Sequence, residues 1–335
     1  MIKKILLGLL ALILLIVIGA FVYVQTSWNK TYDVPYPDLQ TTTDSAVIAH
    51  GAYLVKGPGH CTGCHVASFD DLIRADRGEE VALQGGVRFT LGPLGAVYPA
   101  NLTPDQETGI GRYEDGEIFR MMRHVIKPNG QATLTPMMPF WNMADDDLVA
   151  VVSYLRSTEP VRNPVPESEW TTMGKVVRTM ASTFKPVLDP DPPAKAPAMA
   201  PTVERGSYLA YSVANCVGCH TPRDPMTFEA IGPEFSGGME FEPFPELHEA
   251  LGVATDLWAR STNLTPSPTG VLGKFPTLEA WIQRFREGRI IAQSPMDWGA
   301  FGNMTDTDLE ALYLFFKSLD PVDNDVGEVV FRKAE

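Results

Sequence analysis

Hydrophobic and polar positions divide the chain into one unbroken apolar run and a long series of shorter amphipathic segments. Ile5 to Val24 is twenty residues without a charge. At 1.5 Å per residue such a helix spans ~30 Å, the thickness of a bilayer's hydrocarbon core. A cleaved signal peptide has an apolar region of ~7–15 residues and an A-x-A-like cleavage site, which Ile18-Gly19-Ala20 matches poorly. Residues 1–27 therefore read as a retained N-terminal transmembrane anchor. Lys3 and Lys4 hold its start in the cytoplasm, and Tyr23 and Trp28 suit the far interface. Everything after it is expected on the periplasmic, extracytoplasmic side of the cytoplasmic membrane.

Beyond the anchor the pattern predicts helices joined by long loops. Asp44 can cap a helix running to about Val55, and residues 114–126 form another with Glu117 early in it. Asp145 can cap 146–156, where Leu148, Val151, Val152 and Leu155 recur at helical spacing. The pattern returns at 203–214, 277–287 and 305–318, and Thr305 with Asp308 reads as a capping box. Residues 167–184 could form an amphipathic helix docked on the rest. The Gly- and Pro-rich segments 84–104 and 231–270 are long loops, a length usually functional or wrapped around something.

The returns are one repeat. Gly51-Ala52-Tyr53-Leu54 before Cys61-Thr62-Gly63-Cys64-His65 recurs as Gly206-Ser207-Tyr208-Leu209 before Cys216-Val217-Gly218-Cys219-His220. Asn101-Leu102-Thr103-Pro104 recurs as Asn263-Leu264-Thr265-Pro266, and Asp147-Leu148 as Asp308-Leu309. Two copies of one module explain the kept order and spacing. The predicted organisation is the anchor at 1–27, a first domain at 44–160, a Pro-rich linker with a short helix at 161–201, and a second domain at 202–325. Six prolines in 186–201 favour an extended strap there.

Composition narrows the chemistry. The net charge of −14 makes nucleic acid an improbable partner, because phosphate backbones call for a basic face. With four cysteines in 335 residues, a disulfide scaffold is excluded. On a helical turn, positions i, i+3 and i+4 share a face, so Cys61, Cys64 and His65 converge, as do Cys216, Cys219 and His220. Two thiols at this spacing can bond the two vinyl groups of one haem while the imidazole reaches the iron, and Cys-x-x-Cys-His is the c-type haem attachment signal. A thioredoxin-like site would need a βαβ pattern, and paired zinc knuckles lie ~15–20 residues apart, whereas 151 residues separate Cys64 from Cys216. Two covalently bound haems c are expected.

The sixth iron ligand must come from elsewhere, and Met raises the potential in a way that suits electron transfer. Pro136-Met137-Met138-Pro139 and Pro295-Met296 sit at equivalent places, 73 and 76 residues after the proximal histidines. Met138, with Met137 as competitor, and Met296 are the candidate ligands; His60 reads as a local structural residue. Phe89, Tyr98, Phe140, Trp141, Phe241, Trp258, Phe275 and Trp298 are candidates for haem walls, and Arg88, Arg112, Arg223 and Arg260 for propionate partners.

At these residues the chain resembles membrane-associated multihaem cytochromes c, most of all the cytochrome subunits of periplasmic alcohol and gluconate dehydrogenases. The strings Gly59-His60-Cys61, Asn101-Leu102-Thr103-Pro104-Asp105, Met138-Pro139-Phe140 and Cys219-His220-Thr221-Pro222-Arg223 carry the likeness. It implies an all-α fold class: two tandem class I cytochrome c domains after an N-terminal transmembrane helix. It also implies the two axial methionines and a non-enzymatic role, single-electron relay from a dehydrogenase or quinol-oxidising complex to a respiratory acceptor such as a soluble cytochrome or oxidase. Two modules rather than three, and Met296-Asp297-Trp298 in place of a Met-Pro-aromatic string, depart from the pattern. Residues 44–160 carry nine bases and fifteen acids, and residues 200–335 ten bases and twenty acids, so the second module is expected to dock a basic partner. The rivals are a dihaem subunit of a terminal oxidase and a dihaem peroxidase-like enzyme, the latter needing one open iron position.

Overall fold

The computed structural model describes residues 1–333. The N-terminal apolar run forms α1 (Ile2–Ser27), long and apolar enough to cross a membrane. The first copy contributes α2 (Ser45–Lys56), α3 (Phe69–Asp76), α4 (Asp115–His124) and α5 (Asp145–Ser157), and α6 (Thr172–Met180) follows it. The second copy contributes α7 (Val203–Tyr208), α8 (Cys216–Cys219), α9 (Pro245–Ala250), α10 (Leu278–Arg286), α11 (Trp298–Gly302) and α12 (Asp306–Ser318).

The fold is mostly helical, but not wholly. Each copy carries a small three-stranded antiparallel sheet within or against its long loops: β1 (Phe89–Thr90), β2 (Gly95–Val97) and β3 (Glu169–Trp170), then β4 (Glu240–Phe241), β5 (Trp258–Arg260) and β6 (Val330–Phe331). Strands of two or three residues leave no alternation for a sequence to display. The last strand of each sheet comes from the chain beyond the final helix. Gly95 pairs with Trp170, and Trp258 with Phe331. Residues 161–170 thus run back along the first copy, and 322–331 do the same along the second. Asn163 Nδ2 donates to the Gln84 and Gly85 carbonyls, and Asn324 Nδ2 donates to the Ser236 carbonyl.

The helix starts show which caps the backbone uses. Asp44 caps α2 by accepting from the Ala46 N–H, and Glu114 and Glu117 form a reciprocal box at α4. α5 starts one residue earlier than expected, with Ala144 at the cap and Asp145 inside the first turn, where Arg123 holds the carboxylate at 2.7 Å. At α12 Thr305 accepts from the Asp308 N–H, but the reciprocal half of the box is missing. The Asp308 carboxylate is taken by Arg205 and Tyr53 instead.

In each copy the first helix crosses the last at a glycine. A Cβ on Gly51 would lie 1.9 Å from the Ala150 carbonyl oxygen, and one on Gly206 would lie 2.0 Å from that of Ala311. Only glycine allows these backbones to touch. Around both crossings runs one continuous core, including Leu54, Phe119, Leu148 and Val152 from the first copy and Leu209, Trp281, Leu309 and Phe316 from the second. Burying each such side chain contributes roughly 1.5–3 kcal/mol.

The copies meet through reciprocal bonds. Tyr53 Oη donates to Asp308 at 2.6 Å and accepts from the Thr305 N–H at 3.3 Å. Tyr208 Oη donates to Asp147 at 2.7 Å and accepts from the Ala144 N–H at 3.0 Å. Each aspartate is also held within its own copy, Asp308 by Arg205 at 2.8 and 2.9 Å and Asp147 by His50 at 2.6 Å. Burial pushes both phenols up, so they stay protonated donors.

Candidate functional site

Each Cys-x-x-Cys-His unit is preceded by a residue in the left-handed region, His60 at φ 38° and Asn215 at φ 49°. This conformation is uncommon outside glycine and turns the chain sharply into the short helical turn that bears the cysteines. His60 also packs against Phe301 of the second copy, with tilted rings whose centroids are 5.1 Å apart. Its place is structural.

The histidines of the two units are held alike. His65 Nδ1 donates to the Ala100 carbonyl and His220 Nδ1 to the Thr262 carbonyl, both at 2.7 Å. The acceptors fix the tautomer and leave Nε2 unprotonated in both rings, the arrangement of a metal-bound imidazole. Burial lowers both histidines' pKa values, which also favours the neutral form.

Ala100 and Thr262 immediately precede the repeated Asn-Leu-Thr-Pro strings, which explains what those strings do. Asn101 Oδ1 accepts from the Thr103 N–H and hydroxyl while its Nδ2 donates to the Val161 carbonyl. Asn263 makes the same three bonds to Thr265 and Val322. The loop is thereby pinned to the returning chain, and its first carbonyl is aimed at the histidine. The sequence displayed the repeat without this role, because the recipients are backbone atoms.

Burial pushes Cys61, Cys64 and Cys216 up to about 12, and Cys219 is also raised, whereas a redox-active Cys-x-x-Cys has a depressed thiol. The cysteines keep some surface open to water although protein atoms crowd them, as in a crevice. Among the described residues no three His, Cys, Asp or Glu side chains converge to hold a bare ion.

Met138 and Met296 pack half-buried against the same core as Cys61 and Cys216, while Met137 is 45% exposed. Phe140, Phe275 and Trp298 join that core; Phe89 packs with Phe69 and Phe244 elsewhere, and Trp258 carries the Lys333 ammonium 4.0 Å above its ring. Tyr98 bonds to Glu169. Of the arginines, Arg260 pairs with Glu240 at 2.8 Å, and Arg88 lies 3.7 Å from Glu169. Arg223 donates to the Gly218, Phe228 and Val217 carbonyls, clamping the Cys216–Cys219 turn from below. Arg112 lies over Tyr113.

The two sites adjoin. A Cβ on Gly63, between Cys61 and Cys64, would sit 2.5 Å from the Asp297 carboxylate, next to Met296. Asp76 of α3 binds Arg289 and accepts from the Gly299 N–H at 2.9 Å, tying the Met296 loop to the first copy. The Cys64 thiol is raised further by Asp297 and by Cys219.

No protein-family model matches the chain. It is 30% identical over 310 residues, 86% of its length, to the cytochrome c subunit of a quinone-dependent alcohol dehydrogenase of Gluconacetobacter polyoxogenes. It is 28% identical over 315 residues to the gluconate 2-dehydrogenase cytochrome c subunit of Pantoea cypripedii. The chain is homologous to the cytochrome c subunits of alcohol and gluconate dehydrogenases. A dihaem c-type cytochrome of Cereibacter sphaeroides is 27% identical over 198 residues, 56% of the chain and 60% of that relative. The chain spans 59% of the alcohol dehydrogenase subunit and 63% of the gluconate dehydrogenase subunit. Cytochrome c homology implies covalent haem c. The residues fit that group: free thiols in pairs, a neutral imidazole with Nε2 unclaimed beside each pair, and a half-buried thioether in the same core.

Proposed function

We propose that the chain carries two covalent haems c and relays single electrons outside the cytoplasmic membrane, from a dehydrogenase or quinol-oxidising complex to a respiratory acceptor. Cys61, Cys64 and His65 hold one haem, and Cys216, Cys219 and His220 the other. The observation that carries the reading is the identical orientation of His65 and His220 in two adjoining sites. Bound there, haem c supplies a one-electron iron couple whose potential is set by axial ligation and burial.

Met138 and Met296 are the sixth ligands in this reading. The exposure of Met137 supports Met138 over its neighbour, and the equivalent position of Met296 supports the second. If His65 with Met138 and His220 with Met296 both bound their irons, neither iron would take a substrate; the chain would then act as a carrier, with catalysis in a partner. The contact of the Met296 loop with the Cys61–Cys64 turn supports passage of electrons between the sites. α1 is a retained anchor that keeps the two modules, 44–160 and 202–325, at the membrane surface.

Extraction of the tagged full chain in mild detergent tests this. A dehydrogenase subunit should co-purify, and its substrate should reduce both haems. Ready binding of cyanide to either native haem, with no reduction by any associated dehydrogenase, would support a peroxidase-like enzyme instead.

A further inference from the structure

α1 is exposed from its start to Tyr23; Val24, the last residue of the apolar run, is buried, and Gln25 and Ser27 are half-buried. α6 packs at this point. Lys175 Nζ donates to Gln25 Oε1 at 3.4 Å and stands 5.0 Å over the Trp28 ring. α6 therefore lies where a spanning α1 would pass from hydrocarbon to water, the level at which Trp and lipid headgroups meet. The first copy reaches the same level, since the Tyr32 N–H donates to the Gly130 carbonyl at 2.8 Å.

Five cations gather here: Lys30, Lys127, Lys175, Arg178 and Lys185. Among the described residues none has a carboxylate within ion-pair distance, in a chain of net charge −14. They act on one another: burial first, then Arg178 and Lys30, hold Lys185 below its ordinary value, and burial with Arg178 does the same to Lys127, against the attraction of Glu167. Arg178 is 8% exposed and donates to the Ala132 carbonyl at 2.8 Å, but its Nε has no partner. On the same helix Met173 and Met180 are 49% and 75% exposed. Cations without carboxylate partners beside exposed thioethers suit an anionic, partly apolar boundary, although the Lys185 ammonium also donates to the Arg178 and Thr179 carbonyls.

We propose that α6 and the lysines around it bind the phosphate headgroups of anionic lipids in the bilayer that α1 spans, with Met173 and Met180 entering the interfacial layer. This rests on the reading of α1 as a retained anchor. The lipid contact would fix the height and tilt of the haem-bearing part above the membrane, where a partner in the same membrane meets it.

Native mass spectrometry of the full-length holoprotein, with phosphatidylglycerol or phosphatidylcholine added to the detergent, reads the contact directly. Phosphatidylglycerol should be retained preferentially, and Lys30→Gln with Lys175→Gln should weaken that retention by about fivefold for each lysine. The visible spectrum should be unchanged in the variant, and inorganic phosphate should not displace the lipid. Equal retention of both lipids would overturn the proposal. So would displacement by inorganic phosphate, or an unchanged lipid preference in the variant with loss of a co-purifying protein. The same spectrum gives the intact mass. A chain lacking α1 overturns the anchor reading, and this inference with it; an intact chain without lipid preference overturns this inference alone.

Discussion

Met137 and Met138 are adjacent in sequence and opposite in surroundings, the first open to solvent and the second against the core that holds Cys61. Met138→Ala should abolish the far-red sulfur-to-iron band of one haem and lower its potential by a sizeable fraction of the ~0.8 V that axial ligands span. Met137→Ala should leave both unchanged. His50 is a second residue with a definite expectation. Its hydrogen bond to Asp147 raises its pKa above 6.5 against the effect of burial. Asp146 and Asp147 favour its charge, Arg205 opposes it, and Tyr208 shares Asp147. A raised folded-state value contributes stability that is fully present below about 6.5 and is lost as pH rises through the folded value. The melting temperature should fall over that window in the wild type and stay flatter in His50→Gln. The two Cys-x-x-Cys-His units were legible as a repeated motif, since their residue types and spacing return unchanged. The tasks of Asn101, Asn263 and Arg223 were not, because they act on backbone carbonyls that any sequence supplies.

At the scale of elements, the long helices were legible from their apolar spacing and caps, but their exact starts were set by competition for carboxylates. Asp308 had a reciprocal cap available at α12 and serves Arg205 and Tyr53 instead. The short strands were invisible because two residues have no period. The glycines at the helix crossings were visible as repeats, and the structure supplies their reason. Gly51→Ala should destabilise the protein by about 1–3 kcal/mol or more through overpacking against the Ala150 carbonyl, measurable by thermal or denaturant unfolding. Gly206→Ala should do the same in the second copy, whereas alanine at Gly273, which has open space around it, should be nearly neutral.

The whole molecule is two copies joined face to face by Tyr53 and Tyr208, each reaching into the other's last helix. Removing both hydroxyls in a Tyr53→Phe, Tyr208→Phe double variant deletes two bonds to charged groups, each contributing about 1.5–3 kcal/mol. A single unfolding transition should broaden or split in calorimetry, while haem content stays constant. The charge is uneven at the same scale: the second copy is the more acidic, and five bases, several of which act on one another, gather by the end of α1. Association with a basic redox partner should therefore slow as salt is added. Electron relay requires that both Cys-x-x-Cys-His units carry haem. Intact-mass measurement under denaturing conditions, on chain matured in a host that attaches haem c, tests that directly. The mass should equal the polypeptide plus two haems, and should fall to one haem in Cys61→Ala, Cys64→Ala. A wild-type chain that carries one haem or none would contradict it.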